Sequence, residues 1–404
     1  MVMVRRFQAL RPRAELAREV ASPPYDVVST AEARALAEGR PESFLRVSCP
    51  EIELAPDVDP HSPEVYARAG ENLRAMIDRG ALVEDDVPRL YAYAQTRGSH
   101  RQVGVVGCVS VAEYRDDVIR KHEKTRAEKE DDRTRHIDAA GAHDEPVFLA
   151  YRGVAAIDDA VARAMKSPPA YDFVADDGVG HALWVIEPEA SAAIESLFAS
   201  EVPLLYVADG HHRSAAAQRV AELRAGTPGE HDVFLAVVFP AEQLKILGYH
   251  RLVRDAQGRS PEALRAALEG VMTLSPTEVP EPTEPGTVGL YLGGRWWRGV
   301  FKNPVDARDP VKALDVSRVQ DELLAPIFGV TDPRRDARVD FVGGIRGAGE
   351  LARRVDAEGW SLAIAMHPTR VEELLAVSDA GMLMPPKSTW FEPKLRSGLF
   401  VHRF

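Results

Sequence analysis

The stretch Val202–Arg219 reads VPLLYVADGHHRSAAAQR. An apolar run stops at Asp209-Gly210, two histidines and an arginine follow, and an alanine-rich segment takes over. The apolar run reads as a buried strand, and the alanine-rich segment predicts a helix from Ser214 to Arg224. Gly210 permits a positive φ, so the chain can turn sharply between them. The first N–H groups of a helix have no internal partner, and the helix dipole adds partial positive charge there. Such a mouth attracts anions. Asp209, Gly210, His211, His212, Arg213 and Ser214 are therefore read as a nucleotide or phosphate site. Gly210 would let the backbone close in, and Arg213 would offer a planar two-pronged donor. His211 and His212 would donate hydrogen bonds or carry protons. Asp209 would hold a magnesium ion or orient one histidine. The plainer alternative is a simple turn followed by a solvated arginine. Two histidines beside that arginine weigh against it.

The rest of the chain narrows the class. A length of 404 residues suggests about two or three domains. With 45% hydrophobic and 28% charged residues, the composition is that of a globular protein with a real core. The formal net charge is -12, which gives no global attraction to nucleic acid or an anionic membrane. Cys49 and Cys108 are the only cysteines, too few for a disulfide framework or a cysteine-based zinc site. No apolar run reaches membrane-span length, and the first residues lack a secretory pattern. The expected setting is cytoplasmic, with no membrane and no nucleic-acid partner. Self-association into a homo-oligomer is left open.

Along the chain, helices are expected at Ser29 to Gly39, from the Ser62 cap with Pro63 at the first helical position, at EASAAIESLFAS, SPEALRAALEGV and SRVQDELLAPIFG, and at TRVEELLAVSDAG. RLYAYAQTR and QVGVVGCVSVAEY read as strands joined at Gly98-Ser99. Hairpins are expected around Asp177-Gly178 and Gly293-Gly294, and a last strand at GLFVHRF. Ser275 to Thr287 is rich in Pro, Glu and Thr and marks a linker or loop. These readings give a mixed α+β fold. Its segments are 1–150, 151–274 around the DGHHR core, the 275–287 linker or loop, and 288–404.

Other groups could carry chemistry. His122 and Glu123 follow an apolar strand end and could act as an acid/base pair, or form part of a charged helical face. His136 and His143 do not have compact zinc spacing. Lys387, Ser388 and Thr389 follow the stiff Pro385-Pro386 pair and could bind phosphate or substrate, although the glycine-rich lead-in of a P-loop is absent. Trp390 and Phe391 could stack on a base or anchor the tail. Asp26, after Pro23-Pro24, is a candidate general base. Arg46 is expected on a strand, where a partly buried guanidinium needs Glu51 or a ligand as counter-ion. His367 reads as a packed loop histidine.

PPYDVVS, ESFLRVSCPE, HEKT, ADGHHRSAAA, LLAPIFGV, MHPTRVEELLAVSDAG and MPPKSTWFEPKLRSGL occur in that order over almost the whole chain. Together they resemble the domain-of-unknown-function-1015 (DUF1015) family. DGHHR between strand and helix is also similar to the phosphate signature of the ParB/sulfiredoxin superfamily, which includes free serine kinases. That resemblance implies a ParB/sulfiredoxin-like core. No cysteine lies in the signature, which argues against sulfinic acid reduction, and no basic recognition helix accompanies it. What remains implied is a phosphotransferase using ATP, ADP or another nucleotide with Mg2+. Its acceptor would be a small hydroxyl metabolite, free L-serine among the candidates. His211, His212, His122, Glu123 and Asp26 would be catalytic, and Arg46, Lys387, Ser388 and Thr389 would bind substrate. The alternatives are a nucleotide-binding regulator without metabolite chemistry and a phosphate-ester hydrolase.

Overall fold

The computed structural model describes residues 2–404 and divides into two compact units. One holds the chain up to Lys121, Thr125–Leu244 and Pro393–Phe404; the other holds His122–Lys124 and Lys245–Glu392.

The first unit is built on a nine-stranded sheet. Its strands are β1 (Val4–Arg5), β2 (Tyr91–Arg97), β3 (His100–Ser110), β4 (Ile119–Arg120), β5 (Val147–Tyr151), β6 (Tyr171–Val174), β7 (Gly180–Val185), β8 (Leu205–Asp209) and β9 (Val233–Pro240). They lie in the order β4-β8-β5-β9-β3-β2-β7-β6, with β1 paired to β3. The β5/β9 and β4/β8 pairs are parallel, and the other pairs are antiparallel. Every residue of β9 is buried, as its uninterrupted apolar sequence requires of a strand covered on both faces.

The longer helices of this unit are α1 (Thr30–Ala37), α2 (Pro63–Asp78), α3 (Ala127–Ala140), α4 (Ala155–Ala164), α5 (Pro188–Glu201) and α6 (His211–Leu223). Ile157 and Val161 of α4 and Ile194 and Phe198 of α5 pack with Leu149, Val207 and Val238 of the sheet. Ile137 of α3 packs with Ala216 and Val220 of α6. Local chemistry sets the ends. Ser29 and Glu32 form a reciprocal capping box on α1, and Gly141 ends α3 in the left-handed conformation.

Several expectations are corrected. Helix α6 begins at His211, three residues before Ser214, because left-handed Gly210 (φ 96°) completes the turn alone and Ser214 N–H already donates to the Gly210 carbonyl. VAEY leaves the sheet as a short helix, Val111–Arg115, capped by the Ser110 hydroxyl. Arg46 lies not on a strand but in the helical turn Leu45–Ser48. Its counter-ion is Glu53 at 2.6 Å, while Glu51 accepts from the Thr30 hydroxyl. Within GLFVHRF, the strand is confined to His402–Arg403, which pairs with Ala142–His143.

The second unit has an antiparallel six-stranded sheet. Its strands are β10 (Tyr249–Val253), β11 (Met272–Pro276), β12 (Thr287–Leu292), β13 (Arg295–Phe301), β14 (Val339–Gly343) and β15 (Leu362–Met366), ordered β11-β13-β12-β15-β10-β14. Three of its helices are α7 (Pro261–Val271), α8 (Gly347–Glu358) and α9 (Val371–Asp379). Of the stretch 275–287, residues 277–286 connect β11 to β12 and the ends belong to those strands, all inside this unit. No helix among the described residues is long and apolar enough to cross a membrane.

Three buried histidines make folding sensitive to acid. Burial pushes His143 and His181 down to about 3 and His250 down to about 4. His181 illustrates the cause: it sits between the Tyr93 hydroxyl (2.7 Å) and the Arg396 guanidinium (3.3 Å), so a proton on both ring nitrogens is disfavoured. Unfolded histidines protonate near 6.5, so between about pH 6.5 and 3 the unfolded chain binds more protons and stability is lost as the pH is lowered. Urea unfolding from pH 8 to pH 4 should show a loss that starts near 6.5. His181→Gln should reduce the slope by up to about 1.4 kcal/mol per pH unit. A slope unchanged by that substitution would contradict the assignment.

Candidate functional site

Strand β8 delivers Asp209 to the mouth of α6. Leu205, Tyr206 and Val207 are buried, which fixes the strand. Pairing with β5 shifts register between Val207 and Asp209, where the strand leaves the ladder. Gly210 follows with φ 96°, a conformation that glycine adopts without strain. As N-cap it offers no side-chain oxygen to the first turn. His211 is buried and His212 half-buried in that turn.

Asp209 is fixed through both oxygens. One accepts the Gly210 N–H at 2.9 Å, and the other accepts the Lys394 ammonium at 2.9 Å. Burial by itself would raise its pKa. Lys394 and Arg213 outweigh burial and hold the carboxyl well below the usual range. These contacts do not fit Asp209 as a magnesium ligand, because an ammonium already occupies the position a cation would take.

Arg213 does not project from the helix mouth as a free phosphate fork. It is buried, and its Nη1 donates to the Pro146 carbonyl. Its guanidinium folds back over Gly210, so close that an added Cβ there would lie 3.1 Å from Cζ. The physical reason is electrostatic. Burial lowers the guanidinium pKa, but Asp26, Asp209 and Glu145 overcome this and raise it. Asp26 lies in the short turn Tyr25–Val27, which Pro24 enters in extended conformation.

The network continues inward. Glu145 accepts the Tyr25 N–H at 3.0 Å and the Ser397 hydroxyl at 2.9 Å. Burial and then Asp144 push its carboxyl up, against Arg213 and Arg133. Arg133 stacks on the Tyr25 ring at 3.9 Å and pairs with Asp132 at 2.9 Å. His136 and Asp144 form a buried pair at 2.8 Å. His143 pairs instead through its backbone with His402 and stacks on that ring.

Among the sequence-predicted residues, the first unit brings together Asp26 and Asp209–Ser214. Arg46 lies apart, on a cavity of about 280 Å³ with Glu53, Asn72 and Arg79. His122, Glu123, Lys387, Ser388 and Thr389 belong to the second unit. There the His122 carbonyl accepts the Met384 N–H at 2.8 Å, three residues before Lys387. The Ser388 hydroxyl donates to Pro385, and its carbonyl accepts from Thr369. Half-buried His367 sits close enough to Asp315 for its charge to act on that carboxyl. Sequence reasoning passes over Lys394 and Glu145. For Lys394 a signal exists, since it lies in the same proline-containing motif as Lys387.

The chain matches the family model described as Protein of unknown function (DUF1015) over residues 4–317, and it belongs to that family. Solved structures to which it bears similarity include a free serine kinase in complex with AMP, at 14% identity and TM-score 0.37, covering 73% of this chain and 91% of that one. SbnI with C-terminal truncation from Staphylococcus aureus is similar at 13% identity and TM-score 0.40, covering 74% and 87%. A conserved hypothetical protein from Pyrococcus furiosus is similar at 14% identity and TM-score 0.37, covering 74% and 95%. No curated protein matches the chain.

Removing Lys394 should leave Asp209 without its cation. Lys394→Met is expected to destabilise the protein by on the order of 2 kcal/mol in urea unfolding at pH 7. The loss should shrink in the Asp209→Asn background. Equal losses in both backgrounds would show that the two side chains are not coupled.

Proposed function

We propose that the protein is a nucleotide-dependent phosphotransferase acting on a small hydroxyl metabolite, with free L-serine as the first acceptor to test. The observation that carries this reading is the arrangement at α6: a strand-end carboxylate paired with Lys394, a left-handed glycine, and a helix mouth lacking a side-chain cap. Phosphoryl transfer depends mainly on positioning and on stabilising charge. The first-turn amides, His211 and His212 are the groups assigned to the nucleotide phosphates. Asp209 and Lys394 set the geometry of that turn, and Arg213 supports it from beneath. Magnesium enters this scheme as the counter-ion of the nucleotide rather than as a ligand of Asp209.

In the transfer, the acceptor hydroxyl oxygen forms a bond to the terminal phosphorus, the bond to the nucleotide leaving oxygen breaks, and the hydroxyl proton passes to a carboxylate. Asp26 is the candidate base in the first unit, and Glu123, with His122, is the candidate in the second. Lys387, Ser388 and Thr389 are candidate contacts for the acceptor. Arg46 is left out because Glu53 already neutralises it.

The test follows consumption of ATP or ADP with and without a panel of small hydroxy acids and amino alcohols. Consumption should depend on one acceptor and yield its phosphate ester. His212→Ala should lower turnover by about 100-fold or more. Asp26→Asn and Glu123→Gln, assayed separately, identify the base. Acceptor-independent release of phosphate, or no consumption with any acceptor, would overturn the reading.

A further inference from the structure

Strand β10 carries a buried arginine at its centre. Arg251 is 3% exposed and stands in register with Phe341 of β14 and Ile364 of β15. Its guanidinium lies 5.3 Å from the Phe341 ring centroid. Nη1 donates to the Tyr249 carbonyl, and Nη2 donates to the Lys387 carbonyl at 3.1 Å. Both acceptors are neutral.

Arg251 is an exception within this molecule. The other buried arginines all have acidic neighbours: Arg133 has Asp132, Arg318 has Glu322, Arg396 has Asp177, and Arg213 has Asp26, Asp209 and Glu145. No carboxylate pairs with Arg251 among the described residues. Burial pushes its pKa down to about 10, opposed only by Tyr249, so it remains a cation at neutral pH. A buried charge without a counter-ion is costly, and a bound anion removes that cost.

The adjoining loop points the same way. Lys387 has a left-handed φ of 57°, one of two such non-glycine residues among those described. Such strain persists where the surroundings enforce it, often at ligand sites. Here the conformation is accompanied by the Lys387 carbonyl meeting Arg251 and its ammonium lying 5.4 Å from the Tyr249 ring centroid. Trp390 meets the same ring edge-on at 5.3 Å. A buried guanidinium against the Lys387 loop, backed by aromatic rings, suits a small oxyanion.

We propose that Arg251 and Lys387 form an oxyanion-binding site in the second unit, for the phosphate or carboxylate group of a small metabolite. The proposal shares Lys387 with the phosphotransferase reading but does not rest on phosphoryl transfer. The test uses the full chain in a buffer without oxyanions. Inorganic phosphate and acetate are titrated separately, with binding read by calorimetry and by thermal midpoint. Phosphate binding points to a phosphate ester, and acetate binding points to a carboxylate. Arg251→Met should weaken the Arg251-dependent binding at least ten-fold. Its anion-free midpoint should equal or exceed that of the parent, and Arg251→Lys should retain part of the binding. Any anion bound at the α6 mouth is common to parent and variant and cancels in the comparison. A lower anion-free midpoint for Arg251→Met, with an undiminished anion response, would make Arg251 purely structural. If Arg251→Met does not fold, the parent decides the question. Tungstate soaked into its crystals should give an anomalous peak within hydrogen-bond reach of Arg251, and no peak there would overturn the proposal. Loss of phosphotransferase activity with retained anion binding would leave this site standing, and the reverse would leave the enzyme reading standing.

Discussion

The ion pair between Lys394 and Asp209 fixes the mouth of α6. It joins residues 185 positions apart, so the site forms only when the C-terminal segment is docked on the first unit. That segment makes a series of such contacts. Arg396 meets Asp177 and His181, Ser397 meets Glu145, Val401 bridges to Leu10, and His402 pairs with His143. Each contact supplies a partner to a group buried or partly buried in the unit. The tail is therefore part of the electrostatics of the site as well as of its packing.

A second constraint follows from burying so many charges together. Arg133, Glu145, Arg213 and Asp209 cannot be hydrated in full, so each is held by opposite charge or by backbone donors and acceptors. Arg213 consequently faces inward. In the proposed scheme, the helix mouth would offer an anion its first-turn amides, the two histidines and the field of Lys394. The same reasoning singles out Arg251, a buried guanidinium that donates to carbonyls and has no carboxylate partner among the described residues.

Much of the local structure was legible in the residues. The strand, glycine turn and helix at Val202–Arg219 follow from an apolar run, Gly210 and an alanine-rich segment. The capping box at Ser29 and the turns at Gly98 and Gly293-Gly294 likewise rest on local chemistry. Other features were not legible. Leu362–Met366 is a five-residue apolar run, too short for periodicity to separate strand from helix, yet it lies between β12 and β10. Arg46 has strand-like neighbours in sequence but sits in a helical turn, where Asn72 also donates to its carbonyl.

The sequence by itself determined where the chain turns, which faces are apolar and where a helix could present its free amides. These depend on backbone conformation and side-chain periodicity, which are local. Only the tertiary structure decided that Lys394 pairs with Asp209, that Arg213 is buried against Gly210 and Pro146, and that Arg251 has no acid beside it among the described residues. Those outcomes depend on which charges come within a few ångströms after folding, and Coulomb interactions at that range are set by distance in space rather than by spacing along the chain.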